Sequence, residues 1–411
     1  MIHAKFVWPR IFPWNGDRNP EQIDRVQDIG GDLALNREKL YEIGRNGVLG
    51  YRKGTPSFSY SMRQYEYGSM DFWRALANQE DPASAALDNS ITLEDLKSEK
   101  SDISAFLTDD NGTFRGTVWF PNLRVNGFSM NIGDPEAIVE RNFDLVGEDY
   151  KILEGNYFYC EKDTVITAGP AEFTLALLQI PIEYASGDYV LQVLRVRGVD
   201  VTKLEEDATS TYDANSWRYD LGSNSVIVQT CITDDIVKVS YSSATPYTVW
   251  ADNTVDTSFL LAEDCEIWMK KGMVAESKIY KLQSITIDVA LERTDKREIG
   301  NTEVVQTGVS AKTVTVTLNS LGEDFTLEDI LNNDPAYPYI DPRDFPATIQ
   351  LMVKIFTDST HDTFKMGYLI TTLSPTALGL SQTIEDYMQK THALESDNLL
   401  ISDDENEIVF A

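Results

Sequence analysis

Alternation of apolar and polar side chains is the dominant signal along this chain. Ser57–Met62 reads S-F-S-Y-S-M, which sets Phe58, Tyr60 and Met62 on one face of a strand. Thr313–Leu318 reads T-V-T-V-T-L and does the same with Val314, Val316 and Leu318. Ser225–Gln229, Ile236–Tyr241, Ile285–Leu291 and Ile349–Phe356 are further strands on this reading, rich in the β-branched and aromatic residues that suit a pleated surface.

Helical periodicity is rare and short. Ser69–Asn78 opens on a serine N-cap with Asp71 in the first turn and stripes Phe72, Trp73 and Leu76. Thr326–Leu331 has the same shape, with Leu327, Ile330 and Leu331 apolar, and Gln382–His392 is a third predicted helix. Asp109-Asp110-Asn111-Gly112 reads as a hairpin turn, in which Asn-Gly supplies positive φ. The predicted architecture is mainly β, with a few helices packed on sheets.

The pattern repeats. Residues 27–48 set against 283–304, an offset of 256, agree at ten of 22 positions: Gln27, Ile29, Asp32, Ala34, Leu35, Arg37, Glu42, Ile43, Gly44 and Val48. In the same register Phe58, Tyr60 and Met62 oppose Val314, Val316 and Leu318, so the inward face is kept; a one-residue slip would reverse it. Arg141–Asp149 falls opposite Lys390–Asn398.

Between the copies, Tyr189–Val201, Asp220–Gln229 and Asp234–Ser243 read as strands separated by Gly, Asn and Asp turns, the signature of a small β-sandwich. The predicted layout is an arm over 1–24, one repeated domain over 25–183, the sandwich over 184–243, the second repeated domain over 244–403 and an acidic tail over 404–411, docked if Ile408–Phe410 finds an edge.

Charge narrows the function. Against 35 Lys and Arg stand 66 Asp and Glu, a net charge of −31, which disfavours gripping phosphate backbones or anionic lipid. The apolar run Phe173–Ile182 is too short to span a bilayer, and the N-terminus lacks a signal peptide's apolar core; a soluble, cytosolically made chain without membrane contact is expected. Cys160, Cys231 and Cys265 suit neither a disulfide framework nor a zinc cage.

His3, His361 and His392 stand apart from ligand spacings, and each reads as a surface or edge residue. Gly30-Gly31 leads into a strand, so it forms no phosphate cradle, and no G-x-S-x-G elbow occurs. No catalytic, cofactor or metal site is expected. Trp119 reads as core, whereas Trp217 or Trp250 could serve a carbohydrate-binding adhesin.

Tyr41-Glu42-Ile43-Gly44, an alternating strand, Glu66-Tyr67-Gly68-Ser69 and the helix through Leu76 together resemble a bacteriophage tail tube protein. Arg297-Glu298-Ile299-Gly300, Thr313–Leu318 and Phe325–Leu331 resemble the same element again, and Val125–Asp149 is similar to that fold's later strand pair. The resemblance implies two tandem tube folds, each a β-sandwich or barrel with a short helix, beside an Ig-like sandwich.

It also implies function. Inner strands of neighbouring subunits join into a β-barrel, rings stack into a hollow conduit for DNA that is not specifically bound, and a duplicated chain needs three molecules per ring. The implied partners are further copies of the chain, a tape measure, a tail terminator and a tail tip, in a virion tail. The implied assembly motif is Glu42, Ile43, Gly44 with Glu298, Ile299, Gly300. A tail-tip or hub protein is the nearest alternative, then the adhesin, then a carboxylate-pair glycosidase.

Overall fold

The computed structural model describes Trp8 to Phe410 apart from connecting loops, the longest being 14–20, 42–47, 80–89, 166–171, 207–215, 247–259, 297–305, 322–326, 329–348 and 382–387. The protein is mainly β, in antiparallel sheets with two short α-helices among the described residues.

The chain first forms a hairpin of β1 (Trp8–Pro13) and β2 (Glu21–Gln22), followed by β3 (Val26–Ala34). β4 (Arg37–Leu40) and β5 (Gly50–Lys53) pair with each other before β6 (Ser57–Tyr65) returns along β3. Then come α1 (Asp71–Leu76), β7 (Ser90–Thr92), α2 (Leu93–Ser98), β8 (Ser101–Thr108), the 19-residue β9 (Phe114–Ile132), β10 (Glu140–Gly147) and β11 (Lys151–Glu154).

A sandwich follows. β12 (Tyr157–Thr164), β14 (Val190–Arg197), β15 (Asp200–Lys203) and β19 (Ile236–Ser243) form one sheet; β13 (Glu172–Ala176), β16 (Glu205–Glu206), β17 (Ser216–Asp220) and β18 (Ser225–Gln229) form the other. Val193, Val226, Val228, Val237 and Val239 fill the space between them.

The chain then repeats itself as β20 (Cys265–Lys271), β21 (Ser277–Lys278), β22 (Leu282–Lys296), β23 (Gln306–Leu321), β24 (Ile349–Phe356), β25 (Phe364–Ser381), β26 (Gln389–Ser396) and β27 (Leu400–Ser402).

The duplication extends to defects in pairing. The β3–β6 register shifts at Gln27 and the β22–β23 register at Gln283. The β8–β9 and β24–β25 hairpins shift at Asp102 and Gln350, where Asn122 and its counterpart Thr372 both take positive φ, 60° and 57°. β9–β10 skips Asn126, and β25–β26 skips Thr376. Bulges re-aim a strand at one point, so their coincidence marks one backbone design used twice.

Each copy has two layers. Across the pair runs one eight-stranded sheet in the order β3-β6-β10-β9-β22-β23-β26-β25, using the C-terminal halves of β9 and β25. The N-terminal halves of those strands bend into a small sheet over each copy, β2-β1-β8-β9-β11 in the first and β21-β20-β24-β25-β27-β7 in the second. A single apolar core lies between the layers. Phe58, Tyr60 and Met62, like Val314, Val316 and Leu318, are buried on its face, as the alternation predicts.

Several expectations change. Residues 8–13 are not an arm but a full strand of the first small sheet, with β20 as counterpart. The sandwich takes its first two strands from 157–176, upstream of residue 184. The predicted helix at Gln382–His392 is, from Gln389, strand β26, and His392 is buried beside Glu328 and Lys390 instead of lying at the surface. The tail docks without becoming a strand: Ile408 is buried against Met352 and Leu369.

The sandwich sits on the outer face of the first small sheet. Phe120 points inward to Phe58 and Tyr60, while its neighbour Trp119 points outward and stacks on Phe158 at 4.8 Å. A fully buried Lys238–Asp102 pair at 3.2 Å crosses the same junction. In the second copy Leu369 stands at the position of Trp119, and Ile408 covers it. No helix among the described residues is long and apolar enough to cross a membrane.

Candidate assembly interface

The two copies meet along one antiparallel seam, β9 against β22, pairing Ile132 with Ile285, Met130 with Ile287, Phe128 with Val289 and Gly127 with Ala290. A Cβ on Gly127 would press on the carbonyl oxygen of Val289, so glycine allows the backbones to close. The Arg293 guanidinium crosses the seam, donating to the carbonyl of Val125 at 2.7 Å and to that of Lys97 at 2.8 Å. α2 lies over the seam from the core side. Its Glu94 accepts from Lys97 at 2.7 Å and from Lys312 of the second copy at 2.9 Å, and these ammonium groups hold its carboxyl below the usual range. Arg141, Glu66 and Tyr368 add a buried polar link, in which Arg141 pairs with Glu66 at 3.0 Å and the Tyr368 hydroxyl donates to Glu66.

The eight-stranded sheet ends in two strands with a neighbour on one side only among the described residues: β3 and the C-terminal half of β25. These are the counterparts of β22 and β9, the two strands of the seam. Side chains that the seam buries are therefore exposed at the ends. Leu291 is 1% exposed and its counterpart Leu35 is 49% exposed; Met130 is 1% exposed and its counterpart Leu380 is 65% exposed. Arg37, the counterpart of Arg293, is exposed too, and the residue matching Val125 is Pro375. Among the described residues the molecule thus carries one paired seam and, at the two ends of the same sheet, exposed counterparts of its strands.

The sheet's outer face is open and hydrophilic. Ser57, Ser59 and Ser61, Thr313, Thr315 and Thr317 point outward between the inward apolar rows. Asp28, Asp32, Asp144, Asp288 and Glu395 lie among them, against Arg63 and Arg124. Partial burial pushes the Asp288 carboxyl up.

The expected motif residues Glu42, Ile43, Gly44, Glu298, Ile299 and Gly300 lie outside the described residues. The strands on either side of them match in register, Leu40 with Gly50 and Lys296 with Gln306. The exposed edge residues Leu35, Arg37 and Leu380 were not picked out by sequence. Leu35 and Arg37 are identities of the repeat, which is the signal that could have found them. Trp217, proposed as a surface platform, is 5% exposed with its indole N–H donating to Leu204, which closes it to sugar. The described residues hold no cluster of three or more potential metal ligands, and the three cysteines are unpaired.

No family model and no curated relative matches the chain. Among solved structures, a chain in the cryo-EM structure of the anti-feeding prophage baseplate, 6-fold symmetrised, is similar at 14% identity and a TM-score of 0.28, covering 36% of this chain and 91% of that one.

Proposed function

We propose that this chain is a structural subunit of a phage-type tail tube, working by self-assembly and without enzymatic activity. The observation that carries the reading is the unfinished joint: β3 and β25 repeat the strands of the internal seam, yet leave Leu35 and Leu380 exposed where Leu291 and Met130 are buried. Exposed apolar strand edges are aggregation sites unless a partner covers them. A second copy, docked head to tail, covers them in the register that the first copy already uses on the second.

Head-to-tail contacts propagate into a ring when the rotation closes. Three molecules of eight strands each would close a barrel of about 24, wider than the barrels of about 16–18 strands that already hold an aqueous channel. The hydroxyl-rich, acid-bearing face then lines the bore and repels phosphate, so DNA passes without being held. The sandwich, on the far side of the core from that face, decorates the outside. Stacked rings form the tube of a virion tail, meeting a tape measure within and terminator and tip proteins at its ends.

The edge is tested directly by Leu380→Asp. The wild-type protein is expected to sediment as trimers or larger rings and the variant as a monomer with unchanged circular dichroism. Wild-type protein that stays monomeric at every concentration contradicts the reading.

A further inference from the structure

The seam within the molecule and the free ends of its sheet share a plan but differ where the backbones come closest. In the seam Gly127 stands opposite Ala290, and the Val289 carbonyl oxygen lies where a Cβ on residue 127 would be. Both strands have counterparts at the ends. On β25 the skipped Thr376 matches the skipped Asn126, so Ala377 holds the place of Gly127, as Leu380 holds that of Met130. On β3, Leu33 and Ala34 hold the places of Val289 and Ala290. Ala34 and Ala377 are exposed in the single molecule. The nearby Gly379 does not restore the gap, because it stands two residues further on, at the place of Ser129.

A joint with the seam's exact spacing would drive the Ala377 methyl into the Leu33 carbonyl oxygen. Overpacking of this kind is relieved by backbone shifts, and the ladder hydrogen bonds weaken where strands move apart. A second link between the copies has no equivalent either. Arg74 of α1 holds Asp403, just past β27, through two hydrogen bonds of 2.8 Å. Glu154 takes the place of Asp403 in the first copy, but the stretch that repeats α1 in sequence, 326–331, contains no Lys or Arg.

We propose that the joint between molecules is built to part while the seam within each molecule stays shut. Ala377 of one copy, facing the Leu33 carbonyl of the next, keeps those two strands further apart than β9 and β22, so a tube bends and opens at three of the six junctions around each ring. This rests on the ring reading above and adds to it where the ring gives way.

A series at one position tests it in the full-length protein: Ala377→Gly and Ala377→Val against wild type, followed by sedimentation across a concentration range. Residue 377 is exposed in the single molecule, so unchanged circular dichroism is expected for both variants. Ala377→Gly is expected to assemble at about tenfold lower concentration than wild type, and Ala377→Val at higher concentration. In electron micrographs the Ala377→Gly tubes are expected to be straighter. Gly127→Ala is the internal control, expected to lower the melting temperature of the single molecule. Assembly of Ala377→Gly at the wild-type concentration or above it overturns the open joint and leaves the ring intact. Wild-type protein that stays monomeric at every concentration overturns both.

Discussion

Individual side chains do two kinds of work here, closing seams and anchoring turns. Arg293 closes the internal seam by donating to backbone carbonyls of β9 and of α2. Arg37 has the same place on the free edge, so its expected partner is the Pro375 carbonyl of a second molecule. Arg37→Ala should leave the melting temperature of the monomer unchanged and weaken ring formation about tenfold, the value of one charge-assisted hydrogen bond; sedimentation of both proteins across a concentration series checks it. Asp235 is an anchor. Burial pushes its carboxyl up, but the Arg197 guanidinium, at 2.8 Å to each oxygen, and the Ile232 N–H outweigh this and hold it below the ordinary 3.8. A depressed carboxylate adds stability above its unfolded value and loses it as pH falls through the folded one. Acid titration of sandwich unfolding should therefore steepen below about pH 4, and Asp235→Asn should flatten that limb while lowering stability at neutral pH.

At the scale of elements, the seam between sandwich and tube fold rests on a pair that burial makes costly to break. Lys238 and Asp102 are both fully buried, and Asp102 also accepts from the Asn122 N–H at 2.9 Å. Asp102→Ala strands the ammonium and should cost about 3–5 kcal/mol, seen as faster hydrogen exchange in β12 and β19. These elements also show what could be read without coordinates. β6 and β23 were legible because one face is core and the other is open, so alternation is clean. The repeat was legible because Leu35 and Arg37, beside β3, hold the places that Leu291 and Arg293 hold in β22. β12 was not, because Phe158 and Cys160 face Trp119 while Tyr159 faces the sandwich core, leaving no alternation to see. β26 was mistaken for a helix because Lys390 and His392 occupy inward positions, where Glu328 lies 2.9 Å from the Lys390 ammonium and 3.4 Å from the His392 ring. Pairing partners distant in sequence leave no local trace, which is also why the free edges needed the fold to be recognised.

At the scale of the whole molecule, asymmetry is set within a symmetric plan. Two copies share bulges, hairpins and a core, yet one carries the sandwich and the other is closed by Ile408. A ring built from three such chains would have pseudo-sixfold symmetry in its inner sheet and threefold symmetry outside. Electron microscopy of the assembled wild-type protein, classified without imposed symmetry, tests this most directly. Trimeric assembly predicts hollow rings or tubes of three molecules, with six similar inner units and three outer knobs per ring. Rings of six molecules, or a protein that remains monomeric at all concentrations, would contradict it.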